Sequence, residues 1–212
     1  MDESKPEGGV VHPLLGISRG DHTTADTLIA QALAAADGGL RALLVREPDL
    51  PHRELEKAVR ALSPRLDDLV LHLKTPGAAS LSQEAGLALH LPSTEDVASW
   101  CSVRGLIGCS THSVQAASAA LEAGATYAFL SPVFTPTSKP ADTRVCLGVD
   151  GLRPVSGAAV WALGGITPRN LGSVLGAGVA GVAVQGGLFG STAIVEIRAA
   201  ARRYVAGLVA IP

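Results

Sequence analysis

Apolar residues gather along this chain in eight short runs, each closing on glycine or a polar residue: 14–18, 42–46, 69–73, 87–91, 106–110, 127–134, 160–164 and 181–185. The runs recur every roughly 15 to 30 residues, the length of one strand-plus-helix unit. Between them the apolar residues take helical spacing, as in Thr23 to Ala36 and Ser113 to Ala123. Thr167-Pro168 predicts the start of the seventh helix, with threonine as N-cap and proline at the first helical position. A last helix is expected over Ile194 to Ala206.

Alternating strands and helices suit either a doubly wound open sheet or a closed barrel, and periodicity does not separate them. Two features favour closure. Eight units fit into 212 residues, and the last two strands end on paired glycines, Gly164-Gly165 and Gly186-Gly187. Bare backbone N–H groups at such tips approach an anion closely, which is how many (β/α)8 barrels hold a phosphate after strands seven and eight. The expectation is an α/β fold, a single (β/α)8 TIM barrel over residues 11–212 behind a flexible tail at 1–10, with Gly164, Gly165, Gly186 and Gly187 as phosphate-binding residues.

Composition supports one core. The chain is 47% apolar, 17% charged and 3% aromatic, so Ala, Val, Leu and Ile must fill the strands. A net charge of −2 gives no long-range pull toward nucleic acid or anionic membrane, and no run approaches a membrane span. Neither partner is expected. Cys101, Cys109 and Cys146 are odd in number and lack metal-ligand spacing, which suits reduced thiols and a cytoplasmic location. The segment Met1 to Val10 has no apolar stretch of the signal-peptide kind. A homo-oligomer is left open.

In a barrel of this kind the C-terminal ends of the strands face the active site. Those tips carry Arg46-Glu47, His72-Leu73-Lys74, His90-Leu91-Pro92-Ser93, Ser110-Thr111-His112 and a Ser/Thr/Pro-rich loop reaching Lys139. Arg46 can grip a phosphate with two parallel hydrogen bonds, or pair with Glu47. Lys139 can neutralise a bound or departing phosphate from a covering loop, or stand in solvent. His72, His90 and His112 form a set that could take a divalent metal, against the commoner role of core or gate histidines. Glu95 and Asp96, in Ser93-Thr94-Glu95-Asp96, are acidic enough for a metal but fit a helix start better.

The ordered set of motifs resembles a family: the thiamin phosphate synthases and their sister group, the TenI-like thiazole tautomerases. It rests on Val45-Arg46-Glu47, Leu89-His90-Leu91, Ile107 to His112, Ser131-Pro132-Val133-Phe134 through Lys139 to Leu147-Gly148, Leu163 to Pro168, and Gly181 to Val184. The resemblance implies a barrel that binds thiazole phosphate at the two glycine pairs. It implies a transferase of thiamin biosynthesis, in which a pyrimidine methyl pyrophosphate ionises, the thiazole nitrogen captures the carbocation, and pyrophosphate departs beside Mg²⁺ and basic groups. Arg46, Ser110 and Lys139 match the pyrophosphate contacts. His72, His90, Thr137 and Gly148 are placed around the substrates, His112 among the catalytic groups, and Glu95 or Asp96 as the candidate Mg²⁺ ligand.

The chain also departs from the family pattern. Where the synthases carry Asn-Asp at the end of strand three it has His72-Leu73, and Pro48 replaces the lysine two places beyond the arginine. Leu-Pro-Ser after His90 is closer to the tautomerases. The tautomerases, however, place a proton-transfer histidine just before the Val-Phe of strand six, where this chain has Pro132, leaving His112 or His90 as substitutes. A tautomerase, and a paralogue that binds phosphate ligands without turnover, are the alternative readings.

Overall fold

A computed structural model describes residues 12–100, 102, 105–135 and 144–209. Eight parallel strands close into a barrel in sequence order: β1 (Leu14–Ile17), β2 (Ala42–Val45), β3 (Asp68–His72), β4 (Ala88–Leu91), β5 (Ile107–Thr111), β6 (Tyr127–Leu130), β7 (Val160–Leu163) and β8 (Gly181–Val184). Closure is made by the pairing of β1 with β8, through Leu15 opposite Ala183. Around the barrel run α1 (Ala25–Asp37), α2 (His52–Leu62), α3 (Ala78–Ala85), α4 (Val114–Glu122), α5 (Leu171–Leu175), α6 (Gly186–Phe189) and α7 (Ile194–Val209). No helix of the described residues is long and apolar enough to cross a membrane.

The strands read as unbroken apolar runs because both of their faces are buried. Along each strand alternate residues point in and out. Leu15, Ile17, Ala42, Leu44, Val70, Tyr127, Phe129, Trp161 and Ala183 fill the barrel. Their neighbours Leu14, Leu43, Val45, Leu69, Leu71, Leu89, Val182 and Val184 turn outward against the helices. Two of the few aromatic side chains are admitted because a glycine faces each across the ladder. Tyr127 lies opposite Gly108 and Trp161 opposite Gly181, and a Cβ at either glycine would strike the ring.

Three local expectations are corrected. β6 stops at Leu130, although the apolar run continues to Phe134. Beyond it Val133 and Phe134 donate their N–H groups to the carbonyls of Leu163 and Gly164, so the segment is pinned to the tip of β7 instead of continuing the ladder. The seventh helix starts at Leu171, not at Pro168. Thr167 still bonds reciprocally with Asn170, but it closes a turn that precedes the helix. After β4 and β6 the described residues hold 3₁₀ segments, Val97–Trp100 and Asp150–Val155, instead of α-helices. The second contains Pro154, whose missing N–H suits a short tight turn better than an α-helix.

Candidate active site

Because inward residues alternate, each strand carries its inward set up to the barrel mouth. Leu44 leads to Arg46 on β2, Val70 to His72 on β3, Phe129 leads up β6, and Ser110 ends the inward face of β5. Together with Ile17, Arg19, His90, Leu163, Gln185, Gly186, Phe189 and Gly190 they line a cavity of about 570 Å³, large enough for a small organic ligand. A smaller pocket of about 140 Å³ adjoins it, sharing Leu163, Gln185 and Gly186. Its walls are Ser131, Pro132, Arg144 and the residues of both glycine tips.

Arg46 is placed as expected, but its alternative pairing with Glu47 does not form. The Glu47 carboxylate is fully buried and turned away, accepting from the N–H groups of Gly20 (3.0 Å) and His22 (2.8 Å) and lying 2.9 Å from His22 Nδ1. Burial alone would raise the Glu47 pKa, yet the His22 ring and these N–H groups hold it below its ordinary value. Burial would likewise lower His22, and the bond to Glu47 outweighs it, so the His22 pKa is raised. The guanidinium of Arg46 is thereby left without a hydrogen bond or ion pair among the described residues, packed over Gly20 at the cavity wall. Such a cation calls for an anionic ligand.

The histidines do not gather around one point. His72 and His90 lie side by side with ring centres 5.6 Å apart. The Lys74 N–H donates to His72 Nδ1, which places the ring proton on Nε2. Burial, with Arg46 and Lys74 adding to it, pulls the His72 pKa down to about 4. His90 is wholly buried, stacked 4.2 Å from Phe129, with Nδ1 3.1 Å from the Tyr127 hydroxyl and Nε2 2.9 Å from Ser110 Oγ. Burial and the neighbouring His72 lower its pKa well below the ordinary value. His112 is exposed outside both cavities, its Nδ1 3.0 Å from the Ser131 carbonyl and 2.9 Å from a guanidinium nitrogen of Arg144.

Among the described residues no three metal-ligating side chains converge. Glu95 accepts from the Trp100 indole, and Asp96 caps the 3₁₀ turn through the Ala98 N–H and the Ser99 hydroxyl. Both carboxylates are exposed and line neither cavity. Mg²⁺ prefers a compact shell of oxygen donors. Among the described residues the larger cavity offers instead arginines, neutral imidazoles, a hydroxyl and an amide, with no carboxylate in its lining, a donor set that does not fit a protein-held Mg²⁺.

The glycine tips line the smaller pocket, and part of their role is structural. Gly164 (φ 105°) and Gly165 (φ 60°) hold left-handed backbone that side chains resist. A Cβ on Gly165 would lie 2.7 Å from Phe134 Cβ and 2.8 Å from the Thr135 carbonyl. One on Gly187 would strike the Tyr204 hydroxyl, which bonds the Ile166 carbonyl at 2.8 Å. These glycines therefore seat the segment after β6 and α7 against the tips, besides baring the N–H groups of Gly186 and Gly187, which have no acceptor within the first turn of α6. Gly148 lies outside the pocket linings, its N–H bonded to the Val133 carbonyl. Thr137 and Lys139 lie outside the described residues.

The geometry adds four residues that sequence reasoning missed: Arg19, Tyr127, Arg144 and Gln185. Arg19 follows the inward pair Leu15 and Ile17 at the next inward position, and Gln185 follows Ala183 in the same way, so the alternation itself would have found both. Arg19 donates to Asp21 and to the Phe189 carbonyl, and Gln185 to the carbonyls of Ser18 and Arg19. Tyr127 had no signal separating it from core, nor Arg144 from loop.

A family profile described as thiamine monophosphate synthase matches residues 15–188. The chain belongs to the thiamine monophosphate synthase family. It is 34% identical over 166 residues to a putative thiamine-phosphate synthase of Geobacter sulfurreducens, covering 74% of this chain and 77% of that one. Against the thiamine-phosphate synthase of Bordetella pertussis it is 34% identical over 197 residues, covering 84% and 86%. Among solved structures, thiamine phosphate pyrophosphorylase from Pyrococcus furiosus superposes with a TM-score of 0.72 at 22% identity, covering 92% of this chain and 95% of that one. At such identity the superposition speaks for the barrel alone.

Proposed function

We infer that the protein is a transferase of thiamin biosynthesis, joining a pyrimidine methyl pyrophosphate to a thiazole phosphate with release of pyrophosphate. The observation that carries this is the pair of adjoining cavities, one walled by Arg46, which has no ion pair among the described residues, and by Ser110, the other by the glycine tips and Arg144. Two anionic groups separated by two rings need such an arrangement. The C–O bond to pyrophosphate breaks with its electron pair leaving on oxygen, and the thiazole nitrogen supplies the pair for the new C–N bond. Positive charge at Arg46 stabilises the departing anion as charge develops on it. Lys139 and Thr137 belong to the loop expected to complete the pyrophosphate end, and Gly148 to its far anchor.

Mg²⁺, which the family resemblance implies, finds no matching donor set among the described residues of this mouth. The tautomerase alternative is weakened by its missing base: both ring nitrogens of His90 are engaged inside the barrel, and His112 stands outside the cavities. The free thiols Cys109, which burial raises to about 11, and Cys146 accord with a cytoplasmic location. The test is incubation with both phosphorylated substrates, followed by mass spectrometry. Thiamin phosphate should form only when both are present; its absence, with deuterium exchange on the thiazole ring in its place, would assign the protein to the tautomerases.

A further inference from the structure

At the cavity floor Tyr127, His90 and Ser110 form a hydrogen-bonded file running from apolar interior to ligand space, the last two in the cavity lining. Tyr127 is 1% exposed, and its hydroxyl has His90 Nδ1 as its one partner among the described residues. His90 is buried, and its other nitrogen reaches Ser110 Oγ, which lines the cavity. A neutral imidazole carries a single ring proton, so the file has two proton orders. In one, Nδ1–H donates to the Tyr127 oxygen and Ser110 donates to Nε2; the tyrosine proton is then left without an acceptor, since His90 Nδ1 is the hydroxyl's one hydrogen-bond partner among the described residues. In the other, Tyr127 donates to Nδ1 and Nε2–H donates to Ser110, and every buried proton is used. A buried donor without a partner is costly, so the second order prevails.

We propose that Tyr127 fixes this proton order through His90, so that Ser110 presents its own hydroxyl proton to the cavity as a donor for an anionic phosphoryl oxygen of pyrophosphate. Tyr127 and His90 are then positioning residues, and Ser110 is the group that touches the ligand. With one Ser110 lone pair taken by His90 Nε2–H, the serine proton is committed to nothing inside the protein and is free for a deprotonated phosphoryl oxygen. The inference rests on reading the larger cavity as the pyrophosphate end. It does not require that coupling occur.

The test has two arms, both on the full chain with inorganic pyrophosphate as probe. Nitrogen-15 NMR of the histidine rings should find His90 neutral, with the proton on Nε2 and Nδ1 bare; a proton on Nδ1 overturns the proposal. In calorimetric titration, Ser110→Ala should weaken pyrophosphate binding about tenfold and Tyr127→Phe about three- to tenfold, the scale of one hydrogen bond to a charged group. Added to Ser110→Ala, Tyr127→Phe should cost nothing further, because its effect passes through the serine proton. A merely structural tyrosine would cost the same in both backgrounds, and that result overturns the proposal, as does wild-type protein that fails to bind pyrophosphate. Pyrophosphate binding with this pattern but no thiamin phosphate in the coupling assay would overturn the proposed reaction and leave the proton order standing.

Discussion

Arg46 owes its reactivity to its neighbour in sequence. Glu47, the nearest carboxylate along the chain, is committed to His22 and the Gly20 and His22 N–H groups inside the protein, so among the described residues the guanidinium faces the cavity without a carboxylate partner. Arg46→Ala should lower coupling turnover by roughly 10²-fold, the usual cost of removing a group that stabilises developing charge. Arg46→Lys should also be damaging, because the charge survives but the two-pronged grip does not. Steady-state kinetics on both variants checks this, and near-wild-type turnover in either would contradict the assigned role. Arg46 and Ser110 were legible in sequence because strand alternation delivers them to the mouth. Tyr127 was not, since a tyrosine that positions a neighbour and one that only fills a barrel occupy the same pattern.

The strands themselves were readable because burial on both faces leaves each an unbroken apolar run bounded by polar residues. Their ends were less so: Ser131 to Phe134 looks like strand yet is held by the β7 tip through Leu163 and Gly164, a tertiary contact with no local signature. That contact gives Gly165 its importance. Gly165→Ala forces a Cβ into Phe134 and the Thr135 carbonyl at a backbone conformation unfavourable to alanine, so the segment after β6 must shift. Thiazole phosphate binding should weaken by tenfold or more, while circular dichroism of the barrel stays unchanged. Unaltered affinity in calorimetry would show that the segment after β6 plays no part in the phosphate pocket.

For the molecule as a whole, two buried neutral histidines tie stability to pH. His72, near 6.5 when unfolded and about 4 when folded, contributes stability that is full above pH 6.5 and lost as pH falls toward 4. Between pH 6.5 and 5 its share is about 2 kcal/mol. His90 has the same sign, and His22, whose folded pKa is raised, the opposite one, its contribution fading above pH 6.5. With two against one, urea unfolding should show lower stability at pH 5 than at pH 7. His72→Asn should flatten the difference; equal stability at both pH values in the wild type would contradict neutral burial.

The central claim joins the two cavities into one reaction, and product stoichiometry measures it directly. Wild-type protein given pyrimidine methyl pyrophosphate and thiazole phosphate should release thiamin phosphate and pyrophosphate in equal amounts, and Arg46→Ala should suppress both together. Pyrophosphate without thiamin phosphate, or neither product from wild-type protein that binds both substrates, would contradict the account.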